Sequence, residues 1–360
     1  MSPLALVLFV AGIALLIFGA ELLVRGASRL AESVGISPVV VGLTVVAFGT
    51  SSPETAVTVQ SAFSGNADIA LGNVVGSNIL NVLFVLGISA VILPLTVSRR
   101  LVRLDVPILV VASVLLLILS LDGEIGKFDG LVLFAGIVAY TAFSLIQSRL
   151  ENGDSGEAQD DEPGWMNSRV FQLCLIALGL GMLILGSRWL VSGAVEIATA
   201  LGVSQLVIGL TVVAFGTSMP EVATSVVAAF RGQRDMAVGN AVGSCLFNIL
   251  AVLGISSLVA PDALPVPASA ISFDIPVMIA TAVACLPIFF TGSRIARREG
   301  LLFLGYYAAY ATYLLLNSTS HDALPAFSFV MLAFVIPLTG LTLLAASARS
   351  LRIRWQRRKS

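Results

Sequence analysis

Apolar residues along this chain come in long runs closed by short polar turns. Windows of the length a helix needs to cross a bilayer, roughly 20 residues, fall near 3–24, 36–59, 70–94, 105–121, 129–147, 171–190, 203–229, 236–260, 271–291, 300–316 and 325–346. The pattern predicts an all-α polytopic membrane protein. Turns such as Ser64-Gly65-Asn66 join most of the runs. One polar gap is long, 148–169, and it carries Glu151, Asp154, Glu157, Asp160, Asp161 and Glu162. It lacks the glycine-centred ligand spacing of an EF-hand and reads as a solvated acidic linker. The first run, Met1 to Val24, has no basic region ahead of its apolar core, and Arg25 and Arg29 follow it. That order predicts a spanning helix rather than a signal peptide.

The runs on either side of the gap repeat one another. Gly35 to Ser89 aligns without a break on Gly202 to Ser256, at a constant offset of 167. ISPVVVGLTVVAFGTS from Ile36 answers VSQLVIGLTVVAFGTS from Val203, and DIALGNVVGSNILNVLFVLGIS from Asp68 answers DMAVGNAVGSCLFNILAVLGIS from Asp235. A weaker match pairs Gly19 with Gly186 and Gly26 with Gly193. Duplication of this kind decides the architecture. Each copy holds five helices, an odd number, so the second enters the membrane from the opposite face, which predicts an inverted repeat. The expected divisions are a first repeat over 1–147, the linker over 148–169, a second repeat over 170–316, and an extra helix with a basic tail over 317–360.

Composition and charge agree with this. Hydrophobic residues make up 57% of the 360 and charged residues only 11%, with a mean hydropathy of +0.99, far below the roughly 25% charged residues of a soluble domain. With the N-terminus outside, eighteen of the twenty basic residues fall on the cytoplasmic side, against Lys127 and Arg188. The positive-inside rule therefore sets the N-terminus outside and the C-terminus in the cytoplasm. The net charge of -1 and the absence of a basic stripe exclude nucleic acid. Cys174, Cys245 and Cys285 stand singly, which excludes a disulfide framework or thiolate metal site, and one histidine, His321, excludes histidine-based catalysis. No hydrolase arrangement remains, so an enzyme is not expected.

Two acids fall deep in the apolar runs. Gly49-Thr50-Ser51-Ser52-Pro53-Glu54 interrupts the second run, and Gly216-Thr217-Ser218-Met219-Pro220-Glu221 interrupts the seventh. Proline removes a backbone donor and breaks a helix, and a mid-membrane carboxylate is costly unless it functions. The remaining acids, such as Glu21, Asp68, Asp105, Asp235 and Asp274, fall at helix ends within reach of water or headgroups. Two carboxylates related by a pseudo-two-fold should meet at its axis, where a cation is needed to offset their repulsion. Their neighbours are oxygen donors: Thr50, Ser51, Ser52, Thr217 and Ser218. The next helices add Asn73, Ser77 and Asn81, and in the second copy Asn240, Ser244 and Asn248, each set spaced by four residues. Hard oxygen ligands suit calcium, magnesium, manganese or sodium. Calcium is favoured because it accepts many flexible oxygen ligands. Glycines such as Gly42, Gly49, Gly72 and Gly76 read as close-packing positions.

At these residues, GTSSPE with GNVVGSNILN and GTSMPE with GNAVGSCLFN, the chain resembles the sodium/calcium exchanger family of cation/calcium antiporters. The resemblance covers residues 1–316 and implies ten helices in two inverted five-helix repeats, with the eleventh extra. It implies that Glu54 and Glu221 ligate calcium together with the carbonyls of Thr50 and Thr217. It further implies sodium sites using Ala47, Ser51 and Ser77 on one side, and Ala214, Ser218 and Ser244 on the other. Asn81 and Asn248 complete the centre, the second standing where many exchangers carry aspartate. The linker is too short to hold the regulatory calcium-binding domains of the animal exchangers. The expected function is calcium export across the cell membrane by alternating access, driven by sodium, with no cofactor. Calcium and sodium ions and the lipid bilayer are the expected partners. A proton-driven exchanger of calcium or another divalent ion, and a passive cation channel, are the alternatives.

Overall fold

A computed structural model describes residues 3–151, 168–202, 214–290 and 294–340 of the chain. The long helices are α1 (Pro3–Val34), α4 (Ala67–Ile92), α5 (Leu101–Leu119), α6 (Lys127–Glu151), α7 (Arg169–Ala200), α10 (Arg234–Val259), α11 (Ala270–Ile288) and α12 (Arg297–Ser318). Shorter helices are α2 (Pro38–Thr50), α3 (Ser52–Phe63), α8 (Ala214–Thr217), α9 (Met219–Phe230) and α13 (Leu324–Gly340). Among the described residues seven helices are long and apolar enough to cross a bilayer, or eight if α2 and α3 count as one bent span. Of the eleven expected windows, 203–229 is described only from Ala214, and 325–346 only to Gly340. The window at 300–316 lies in α12, whose first turn is Arg297, Arg298 and Glu299. The acidic linker falls mainly on residues outside the described ones, as do the basic tail and residues 203–213.

The inversion of the repeats is visible in which residues touch. α1 and α7, the first helices of the two copies, cross antiparallel along a seam of glycines. A Cβ added to Gly12 would lie 2.8 Å from Gly186 O, and one added to Gly19 would lie 2.8 Å from Gly179 O. The offset of 167 exchanges these two contacts for each other, as a two-fold axis requires. The ends of the bundle obey the same symmetry. β1 (Leu95–Thr96) pairs antiparallel with β4 (Arg294–Ile295), and β2 (Glu124–Ile125) with β3 (Leu264–Pro265). Each two-residue ribbon joins one repeat to the other, a small departure from a purely helical fold. Both strands of a ribbon must lie at one face of the bundle, which matches the alternation of the predicted spans.

Burial sorts the helices into a centre and a wall. α4 and α10 are 72% and 78% buried over their spans, against 28% to 33% for α1, α6, α7 and α11. The outer helices present Leu4, Val7, Phe18, Phe128, Val138 and Val170 outward, as a lipid-facing wall should. Gly65 and Gly232, with φ of +74° and +77°, occupy equivalent tight turns that send the chain from each broken helix into α4 and α10. Left-handed backbone of this kind suits glycine.

Candidate functional site

The site begins with the two prolines. Neither Pro53 nor Pro220 can donate to the preceding turn, and the helices break one residue earlier than the Ser/Met-Pro steps. Ser51 has φ -80° and ψ 10°, and Ser218 has φ -91° and ψ 8°. α2 and α3 consequently meet at a 48° bend, and the bend drives Ser51 and Glu54 inward. Both glutamates, with Ser51 and Ser218, are fully buried.

Each break reaches across the two-fold axis to the glutamate of the other repeat. Ser51 Oγ donates to Glu221 Oε1 at 3.1 Å, and Ser218 Oγ donates to Glu54 Oε1 at 2.9 Å. Ser244 on α10 donates to the same Glu221 oxygen at 3.4 Å, while Ser218 and Ser77 on α4 are 3.3 Å apart. Corresponding residues of the two copies thus form two clusters, Ser51–Glu221–Ser244 and Ser218–Glu54–Ser77, which differ in that Ser244 meets the carboxylate and Ser77 meets the serine. The second carboxylate oxygen of each glutamate, Oε2, is buried without a hydrogen-bond partner. So are Thr217 Oγ1, Asn248 Oδ1 and both amide atoms of Asn81. Unpaired buried oxygens are costly unless something else satisfies them. Oxygens of this kind are the hard ligands a cation such as calcium takes.

The amide nitrogens of Asn73 and Asn240 brace the broken helices. Asn73 Nδ2 donates to Glu54 O at 3.2 Å and to Thr58 Oγ1 at 2.9 Å. Asn240 Nδ2 donates to Glu221 O at 3.4 Å and to Ser225 Oγ at 2.9 Å. Ser52 turns away from the site, and its hydroxyl bonds back to Phe48 O at 3.3 Å. Ala47 O accepts from Thr50 Oγ1 at 3.4 Å, and Ala214 opens the four-residue turn α8.

At the axis itself the equivalent residues Asn78 and Cys245 face each other. Asn78 Nδ2 donates to Cys245 O at 3.3 Å, and Cys245 Sγ donates to Asn78 O at 3.6 Å. Asn248 Nδ2 donates to Asn78 Oδ1 at 3.3 Å. Asn81 and Asn248 each open a single π-helical turn, Asn81–Val85 and Asn248–Val252, a distortion that often accompanies functional positions.

Sequence reasoning missed several members of this arrangement. Thr58 and Ser225 could have been found as a hydroxyl conserved between the two copies at the offset of 167. Asn78 was hidden because its equivalent is a cysteine. Ser187, whose hydroxyl donates to Gly216 O, had no signal, since its equivalent is Ala20. One expectation is overturned. Asp105 lies at a helix end yet is fully buried, because Tyr140 on α6 covers it with a 3.0 Å hydrogen bond and Arg100 Nε lies 3.5 Å away. Asp274 has the equivalent partner, Tyr310, at 3.2 Å.

A family model described as sodium/calcium exchanger protein matches residues 4–146 and 171–316. The CaxA protein of Alkalimonas amylolytica is 35% identical over 324 residues, covering 87% of this chain and 99% of that one. The sodium/calcium exchanger MaX1 of Methanosarcina acetivorans is 30% identical over 318 residues, covering 78% of this chain and 89% of its own. Among solved structures, the sodium-calcium exchanger NCX_Mj soaked without sodium and calcium superposes with a TM-score of 0.75 at 32% identity. That superposition covers 86% of this chain and 99% of NCX_Mj.

Proposed function

The chain belongs to the sodium/calcium exchanger family, and from that membership we propose that it moves calcium out of the cell in exchange for sodium, by alternating access at a site built on Glu54 and Glu221. As a member it is a multi-pass membrane antiporter of calcium and another cation. The observation that carries the finer reading is the crossed pair of bonds, Ser51 to Glu221 and Ser218 to Glu54. It brings the two carboxylates of an inverted repeat into one buried place with a free oxygen on each.

In this reading calcium takes both glutamates, with the carbonyls of Thr50 and Thr217. Sodium takes the two serine–glutamate clusters, together with Ala47 and Ala214. Asn81 and Asn248 offer their amide oxygens at the centre. Calcium and sodium then compete for the same carboxylates, so one leaves before the other binds. An ion shifts the equilibrium between inward and outward access only through its different affinity for the two states.

Asymmetry between the halves supports alternating access. Thr50 Oγ1 bonds Asn240 Oδ1 at 3.2 Å and lies 3.5 Å from Ser244 Oγ, while its equivalent, Thr217 Oγ1, has no partner. α2 also lies backbone to backbone on α10: a Cβ added to Gly243 would sit 2.6 Å from Leu43 Cα, and one on Gly239 2.8 Å from Val39 O. With the N-terminus outside and the C-terminus cytoplasmic, this contact seals the cytoplasmic side. The opposite state would exchange the roles of the repeats and bond Thr217 to Asn73.

Equilibrium binding of calcium-45 to the purified full chain tests the site. Removing one charged partner of a buried interaction costs roughly 2–5 kcal/mol, so Glu54→Gln and Glu221→Gln should each weaken calcium binding by about thirtyfold or more. Sodium should displace calcium from the wild type. Unchanged calcium affinity in either variant, or indifference to sodium, would remove the glutamates from the site.

A further inference from the structure

We infer that Glu21 and Arg231 form a latch that holds the cytoplasmic side of the carrier shut and biases it toward the state open to the outside. The inference rests on the alternating-access reading above and adds to it a device remote from the ion site.

Glu21 lies on α1, and Arg231 in the turn that follows α9. Arg231 Nε donates to Glu21 Oε2 at 2.8 Å, and Nη2 donates to Oε1. Such two-pronged pairing is stronger and more exacting in geometry than a single contact between charges. Arg25, one turn farther along α1, meets the same carboxylate. Eighteen residues separate Glu21 from Pro3, roughly 27 Å at 1.5 Å per residue. With the N-terminus outside, Glu21 therefore reaches the cytoplasmic edge of a hydrocarbon core roughly 30 Å thick. The turn at Arg231 is cytoplasmic in the same topology.

The pair has no counterpart in the other repeat. The offset of 167 carries Glu21 onto Arg188 and Arg231 onto Ser64, and an arginine with a serine forms no ion pair. The packing is unequal in the same sense. α1 runs against α9, whereas the corresponding helices, α7 and α3, make no comparable contact. When the repeats exchange roles, the first contact is traded for the second. Glu21 and Arg231 then part as the cytoplasmic side opens, and no ion pair replaces theirs outside. A bond made in one state alone shifts the balance between the two by its own strength. The side chains are 21% and 49% exposed, and a pair so placed is worth about fivefold in that balance.

The test is a cross-linking rate that reports the opposite state. Ser64→Cys with Arg188→Cys places two thiols where the traded contact forms, in a full chain whose exposed Cys174 is replaced by serine. A short bifunctional thiol reagent should join them slowly in this background, and about fivefold faster once Glu21→Gln or Arg231→Gln opens the latch. Arg25→Gln leaves the link between α1 and α9 intact and should not change the rate. Arg231→Lys keeps the charge but loses the two-pronged geometry, and its rate should fall between. Unchanged rates in both the Glu21→Gln and Arg231→Gln variants, or an equal increase from Arg25→Gln, would overturn the latch. Absence of cross-linking in every variant would overturn the exchange of contacts itself, and the alternating-access reading with it.

Discussion

Thr50 and Thr217 occupy equivalent positions with unequal surroundings. The Thr50 hydroxyl is bonded to Asn240, whereas the Thr217 hydroxyl is buried and unpartnered. Thr50→Ala leaves Asn240 Oδ1 without its donor, a loss of roughly 1–3 kcal/mol for a buried polar group. Thr217→Ala removes an unsatisfied hydroxyl and should be nearly neutral. Thermal unfolding of the two variants in detergent should therefore show a lower melting temperature for Thr50→Ala alone; equal shifts would contradict the asymmetry. At this scale the sequence was informative where chemistry repeats. Glu54 and Glu221 stood out because the same costly group returns behind the same proline. Residues lacking a matching partner in the other copy, such as Asn78 and Ser187, gave no such signal. Asp105 was misjudged for another reason: position along a helix does not reveal which side chain, here Tyr140, closes over its end.

The broken helices were legible as elements because proline specifies where the backbone ladder fails. Their bend was not, since its 48° depends on how α2 and α3 pack. The π-helical turns opening at Asn81 and Asn248 were invisible too, because inserting one residue into a helical turn leaves no mark on an all-apolar stretch such as Val82 to Val85. Of the glycines expected at close contacts, Gly42 packs against Met236 O on α10 and Gly49 against Leu180, whereas Gly72 and Gly76 have no close neighbour among the described residues; other glycines, on α10, complete the contact with α2. Gly243→Ala would place a methyl group 2.6 Å from Leu43 Cα and 2.7 Å from Leu43 O. Backbone cannot yield as a side chain does, and overpacking costs about 1–3 kcal/mol. The variant should disfavour the state sealed by α2 and slow calcium transport on the order of tenfold, since each 1.4 kcal/mol is a factor of ten in rate. Wild-type turnover in this variant would show that the α2–α10 contact is no part of the cycle.

Over the whole molecule, duplication made the architecture readable. The inversion expected from an odd number of spans per repeat reappears in the antiparallel α1–α7 seam and in the two ribbons that bridge the copies. α1 and α7 have 32 residues each; at 1.5 Å per residue, about 48 Å, they exceed a hydrocarbon core of roughly 30 Å and must tilt or emerge from it. Orientation depends on basic residues, and it makes a direct prediction. The turns at Ser64 and Gln233 should lie on opposite faces, so an impermeant thiol reagent added outside intact cells should label Ser64→Cys and spare Gln233→Cys. The reverse pattern would invert the topology.

The claim that joins these scales is that Glu54 and Glu221 form one site where sodium and calcium compete. Calcium-45 uptake into sodium-loaded proteoliposomes addresses it most directly, with potassium-loaded and pH-jumped vesicles alongside and Glu54→Gln compared with wild type. The account predicts rapid uptake in sodium-loaded wild-type vesicles, background uptake in potassium-loaded ones, and none above background for Glu54→Gln. Uptake driven by the pH jump alone, or sodium-driven uptake that survives the loss of Glu54, would contradict it.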